Sequence, residues 1–219
     1  MRFLFIQILL TSFLISSGIL RTDGRIIINE NNEKVILKGF GLGGWLVLEG
    51  YMWNFPGFGS TTTMENAVID LLGEQKADLF FERYRSNYIT EKDISFLAES
   101  GFNALRIPLH YKHFSPSFNE FTDIGFDLLE PIINACRDND MYVVLDMHAA
   151  PGAQNTSDFS DSDEQEARLF TQYSNQKWYV STWRYIAEHY ANEPVVAAYD
   201  LLNEPVLPWG YGPPALRNL

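Results

Sequence analysis

The chain has 219 residues, 46% of them apolar and 20% charged, an ordinary composition for one globular domain with a sizeable core. Sixteen basic against 28 acidic side chains give a formal net charge of −12, which speaks against nucleic acid and anionic membrane surfaces and suits a neutral polymer better than a polyanion. Aromatic residues reach 15%, which fits sugar-binding platforms and a large core equally.

The N-terminus reads as a targeting segment. Arg2 supplies a positive start, Phe3 to Leu14 is apolar except for Gln7, Thr11 and Ser12, and Ser16-Ser17-Gly18 offers small residues for cleavage. The alternative, a membrane anchor, needs about 20 apolar residues and a stop-transfer flank, and the stretch has neither. A secretory signal peptide over 1–18 is expected, with a mature domain over 19–219 that is secreted or periplasmic and free of the membrane.

Beyond it, strand and helix patterns alternate. Val35-Ile36-Leu37-Lys38 reads as a short strand running into Gly39-Phe40-Gly41-Leu42-Gly43-Gly44-Trp45. Those glycines permit close backbone approach or positive φ, and a phosphate loop is ruled out by the missing Lys-Ser/Thr ending. Residues 64–88 carry a helical excursion. Thr90 as N-cap, Asp93 three residues on, the inward Ile94, Leu97 and Ala98, and the stop at Gly101 mark a further helix. Asn103 to Leu109 is a strand, Phe126 to Cys136 a helix, and Tyr142 to Met147 a strand. A long polar loop runs from His148 to about Ser174. A helix presenting Val180, Trp183, Ala187 and Tyr190 follows and ends at Pro194. The apolar run Val195 to Leu202 then predicts a strand buried on both faces, as in a parallel sheet. Cys136, the one cysteine, shares a helical stripe with Phe126, Leu129 and Ile133 and reads as a buried core thiol.

Four strands joined by helical crossovers begin both a doubly wound sheet and a TIM barrel. A barrel needs eight such units and the pattern supplies four, so the chain reads as the N-terminal half of a larger protein. Each strand ends in groups suited to a ligand: Trp45 and Glu49; Arg106, then His110 and Tyr111; Asp146 and His148; Asn203 and Glu204. Parallel strands bring these to one rim, where α/β barrels place their chemistry. Each also has a plainer role. Trp45 fits the core, Arg106 needs a carboxylate partner wherever it lies, and Asn203-Glu204-Pro205 is an acceptable solvated turn. Asp146, His148 and Glu204 are weighed as metal ligands and set aside, because no close-spaced His pair or His-Glu-x-x-His occurs.

The segments Gly39 to Glu49, Leu105-Arg106-Ile107-Pro108, Leu145 to Asn155 and Leu202-Asn203-Glu204-Pro205 together resemble glycoside hydrolase family 5, with the nearest likeness to its exo-β-1,3-glucanase-like members. The resemblance implies a (β/α)8 barrel of which about the first four βα units are present. It also implies retaining hydrolysis of β-glycosides without a metal or other cofactor. By the same resemblance Glu204 is the general acid/base, Asn203 holds the sugar 2-hydroxyl, and Arg106 sits under the catalytic nucleophile. His148 lines the subsite where the bond breaks, and Glu49 binds a sugar hydroxyl. The family's nucleophile, a second Glu on the seventh strand, is not expected in this chain. The implied partner is a β-linked oligo- or polysaccharide and the implied assembly a monomer. A carbohydrate-binding protein that keeps the cleft without the chemistry is the competing class.

Two local features remain. Asn155-Thr156-Ser157 fits the N-glycosylation pattern but overlaps the family-like loop, and is read as chance. Asp158, Asp161, Asp163, Glu164 and Glu166 lack the spacing of a calcium loop and are read as a solvated loop over the cleft.

Overall fold

A computed structural model describes residues 18–162, 166–217 and 219. The predicted signal peptide, all but Gly18, lies outside the described residues, as do Asp163 and Glu164 of the acidic run.

The chain enters through a small antiparallel sheet that the sequence did not announce. β1 (Arg21–Asp23) turns at Gly24, whose φ of 59° favours glycine, into β2 (Ile26–Ile28), and β3 (Lys34–Val35) pairs on β2's other side. The expected strand over Val35 to Lys38 is therefore divided. Val35 belongs to this sheet, and the first strand of the main sheet is the glycine stretch itself, β4 (Gly39–Gly41). Asn103 explains the division. Its side chain accepts from the Lys38 N–H at 2.6 Å and donates to the Ile36 carbonyl at 3.0 Å, so a side-chain amide takes the backbone bonds that a strand partner would have taken.

Next comes the helical excursion, as α1 (Gly50–Trp53), α2 (Thr61–Leu72) and α3 (Glu74–Tyr88), broken at Gly73 with φ 77°. α4 (Glu91–Glu99) carries the predicted cap: the Thr90 N–H donates to the Asp93 carboxylate at 2.8 Å. It ends in a Schellman motif, with Gly101 N–H on the Ala98 carbonyl and Phe102 N–H on the Leu97 carbonyl.

β5 (Ala104–His110) and β6 (Tyr142–Ala149) follow, with α5 (Ile124–Asp138) between them. α5 buries Phe126, Leu129, Ile133 and Cys136 as its pattern predicts, and turns Pro131 outward. Pro108 is tolerated inside β5 because pairing with β4 ends at Gly41 and Arg106, so its missing N–H falls where β5 has no neighbour on that side. α6 (Arg168–Thr171), α7 (Tyr173–His189), β7 (Val196–Asp200) and α8 (Pro213–Arg217) complete the chain.

The sheet order is β4-β5-β6-β7, parallel at every pairing and in sequence order, the opening half of a (β/α) barrel. The core lies between this sheet and the helices α4, α5 and α7, around Leu105, Ile107, Val143 and Leu145. Three expectations need correction. β7 is only half-buried, and Leu201 after it is exposed, because β7 has β6 as its one neighbour in the described sheet. α7 faces inward with Tyr179, Thr182, Trp183 and Ile186, and Val180 lies on the flank of that face, partly exposed. The segment after His148 is a folded structure in which Ala153, Gln154, Asn155 and Ser160 are buried. Among the described residues no helix is long and apolar enough to cross a membrane.

Candidate active site

The C-terminal end of β6 supplies the centre. Its alternation sends Asp146 and His148 to the same side, and both are buried. The Asp146 Oδ2 lies 2.6 Å from His148 Nδ1 and 3.1 Å from an Arg106 Nη2 on β5. Burial pushes the Asp146 carboxyl above its ordinary pKa, partly offset by His148 and Arg106. The hydrogen bond between the Asp146 carboxylate and Nδ1 fixes the His148 ring. The other oxygen, Oδ1, has no partner among the described residues.

The end of β7 meets this group. The same Arg106 nitrogen reaches Asp200 Oδ2 at 3.0 Å and Asn203 Oδ1 at 2.8 Å. That contact fixes the Asn203 amide, oxygen toward the guanidinium and Nδ2 toward His148 Nε2 at 3.4 Å. Arg106 is thus the hub of three strand ends, and Asp200, which the sequence reading passed over, is one of its partners. Asn203 itself is buried, and its N–H donates to the Met147 carbonyl.

Glu204 follows with φ 43°, a left-handed conformation that costs a non-glycine residue about 1–2 kcal/mol. The backbone there is held from outside. Gln154, fully buried, donates from Nε2 to the His148 carbonyl at 2.7 Å and to the Asn203 carbonyl at 3.0 Å. Its own carbonyl accepts from the Val206 N–H, and Asn155 Nδ2 donates to the Glu204 carbonyl at 2.9 Å. The strap of residues 154–155 therefore ties the ends of β6 and β7 together and leaves the Glu204 side chain exposed on the rim. The buried, engaged amide of Asn155 agrees with reading its glycosylation pattern as chance. Phe159 packs over His148, ring centroids 5.9 Å apart.

Glu49 arrives from the β4 side. It is buried ahead of α1, and burial raises its carboxyl pKa; His148 and Tyr51 oppose the shift and Glu204 adds to it, so these four groups share one electrostatic neighbourhood. Trp45 does not join them. It lies in the core with its indole N–H donating to the Arg85 carbonyl at 2.8 Å, so its expected place at the rim is corrected to a packing role.

The acidic run is corrected at Asp161. Its side chain is 4% exposed and bonded from three elements: Thr62 N–H at 2.7 Å, His110 Nε2 at 2.9 Å and Lys112 Nζ at 3.1 Å. It latches the Asn155-bearing loop to α2 and to the end of β5. Among the described residues no cluster of three or more His, Cys, Asp or Glu side chains is placed to hold a metal ion.

Comparison with known proteins agrees with this architecture. The model of the cellulase family, glycosyl hydrolase family 5, matches residues 63–210. A beta-xylosidase of Phanerodontia chrysosporium is 33% identical over 192 residues, covering 87% of this chain and 40% of that protein. A probable glucan 1,3-beta-glucosidase A of Neosartorya fischeri is 33% identical over 187 residues, covering 84% of this chain and 44% of that protein. The crystal structure of rutinosidase from Aspergillus niger shares the fold at a TM-score of 0.66 and 20% identity, over 78% of this chain and 49% of that one. The chain spans less than half the length of these curated relatives.

Proposed function

This chain belongs to glycosyl hydrolase family 5, and we propose that it forms the acid/base half of a secreted, retaining glycosidase acting on β-glucans or other β-glycosides. The observation that carries the reading is the convergence of Asn203 and Glu204, on a strained turn at the end of β7, with His148, Arg106 and Glu49 at one end of a parallel sheet.

In the proposed mechanism Glu204 protonates the leaving glycosidic oxygen and then takes a proton from the attacking water. Its exposure on the rim suits a group that must reach a bound substrate. Asn203, with its oxygen fixed on Arg106 and its Nδ2 beside His148 Nε2, binds the sugar 2-hydroxyl, a contact that strengthens as the oxocarbenium-like transition state forms. His148, held by Asp146, and Glu49 line the subsite where the bond breaks. A second carboxylate, about 5 Å from Glu204, is needed as nucleophile. We place it in the other half of the barrel, beside Arg106, whose side chain stays partly exposed while serving Asp146 and Asp200. Secretion rests on the apolar segment at the N-terminus.

The test is the stereochemistry of hydrolysis. The whole protein is mixed with aryl β-glucosides and β-xylosides, and the first-formed sugar is followed by proton NMR. Early appearance of the β-anomer supports the reading. The α-anomer first contradicts a retaining mechanism, and saturable binding without turnover supports a carbohydrate-binding role instead.

A further inference from the structure

The Glu204 carboxyl has only its own backbone to aim it. The side chain is exposed and makes no hydrogen bond among the described residues. Its neighbours are held through their side chains, Asn203 on Arg106 and His148 on Asp146. A group that must come within hydrogen-bond reach of a glycosidic oxygen therefore depends here on one backbone conformation. That conformation is not the one the segment favours. The φ of 43° is left-handed, and Pro205 disfavours the right-handed helical region for the residue before it. Left free, Asn203-Glu204-Pro205 would settle into extended forms that point the carboxyl elsewhere.

Three hydrogen bonds oppose that preference, one on each successive peptide unit. The Asn203 carbonyl accepts from Gln154 Nε2 at 3.0 Å, the Glu204 carbonyl accepts from Asn155 Nδ2 at 2.9 Å, and the Val206 N–H donates to the Gln154 carbonyl at 3.0 Å. All three come from two residues that are 0% and 1% exposed, so a carbonyl left without its donor there has no ready replacement in water. The two amides are themselves anchored. Gln154 Nε2 also donates to the His148 carbonyl at 2.7 Å, and its Oε1 accepts from the Ala150 N–H at 3.2 Å. Asn155 Oδ1 accepts from the Ser157 N–H at 2.8 Å. An apolar side chain would fill the same space; what only the amides supply is the set of donors that grip the turn.

We propose that Gln154 and Asn155 are positioning residues for the proton donor, holding the left-handed turn that aims the Glu204 carboxyl at the bond to be broken. The proposal rests on the glycosidase reading.

The experiment compares two β-glycosides of one sugar on the whole protein, one with an alkyl aglycone and one with an acidic phenol. kcat/KM reports the first bond cleavage, in which only the alkyl group needs the proton of Glu204. Gln154→Met keeps the length and removes both donors, and Asn155→Ala removes the tie on the Glu204 carbonyl. Each should lower kcat/KM on the alkyl glycoside by about a hundredfold, the cost of misplacing a reacting group by about 1 Å. On the phenol glycoside the loss should stay within about threefold. The ratio of the two values does not depend on how much of a variant is folded, so lost stability alone cannot produce the split. In a Glu204→Gln background the same changes should cost less than about threefold more on the alkyl glycoside, because no proton is left to aim. If Gln154→Met yields no folded protein, Asn155→Ala decides. Equal loss on both glycosides, no loss on either, or a further hundredfold loss in the Glu204→Gln background overturns the positioning role and leaves the glycosidase reading standing. A wild type that hydrolyses neither glycoside overturns that reading, and the positioning role with it.

Discussion

Replacing Asp161 by Asn should open the loop that supports Glu204 while leaving the barrel sheet intact. Burial alone would raise the Asp161 carboxyl pKa, but His110, Lys112 and Thr62 more than offset it and hold the group well below the ordinary carboxylate range. The sign follows from linkage. A carboxyl with a depressed folded pKa contributes stability that is complete above the unfolded value of about 4 and lost only as pH falls through the folded one. The latch is therefore at full strength from about pH 5 to 8. Asn keeps the shape and one acceptor, but its Nδ2 would face the Lys112 ammonium and the donors of Thr62 and His110. Breaking a buried ionic cluster costs about 3–5 kcal/mol; taking the lower end for a variant that keeps one bond, about 3 kcal/mol corresponds to roughly a hundredfold change in a local opening equilibrium. The assay is hydrogen exchange with peptide-level mass spectrometry on the whole protein. Peptides covering 155–162 and 60–64 should exchange roughly a hundredfold faster in the variant at both pH 5.5 and pH 7.5, with those from β5 and β6 unchanged. Unchanged exchange in 155–162, or uniform acceleration everywhere, would refute the latch.

Arg106→Met should destabilise the protein by about 2–4 kcal/mol, below the top of the range for a broken buried pair because about a third of the Arg106 side chain meets solvent. It removes a group that lowers the Asp146 pKa, so that carboxyl rises further and its ionisation opposes folding more; the Tm deficit should widen as pH rises from 4 to 7 and should shrink in Arg106→Lys. Asn203→Ala should lower kcat more than it raises KM on β-glucosides and have little effect on the matching 2-deoxyglucoside; equal loss on both makes Asn203 structural. The Cys136 thiol, pushed by burial up to about 12, should resist a disulfide reagent in the native protein and react at once in denaturant.

The fold class was legible because its signals are local. The Thr90–Asp93 cap, the Gly101 stop and the α5 stripe each need only a few neighbouring residues, and the helices they predict stand where expected. The β1–β3 sheet was not legible, since strands of two and three residues are too short to show a period. The half-burial of β7 has a different reason: an apolar run does not show which of its neighbours stand in the described sheet. The rim residues were found through motifs at strand ends, but their wiring was hidden in contacts far apart in sequence. Arg106 meets Asp200 and Asn203 across 94 and 97 positions, and Asp161 meets Thr62 across 99. An acidic run looks solvated until such partners appear. Gln154 and Asn155 stood inside a quoted motif, yet nothing in their identity said that they strap two strands together.

The central claim is that Glu204 is the proton donor of a glycosidase, and leaving-group dependence tests it most directly. Glu204→Gln keeps the shape of the side chain and removes the proton. In the whole protein it should slow hydrolysis of unactivated β-glucosides by at least about a thousandfold, while glycosides of an acidic phenol, whose departure needs little protonation, lose far less in the glycosylation step. An equal loss on both substrate types, or full activity on both, would contradict the assignment.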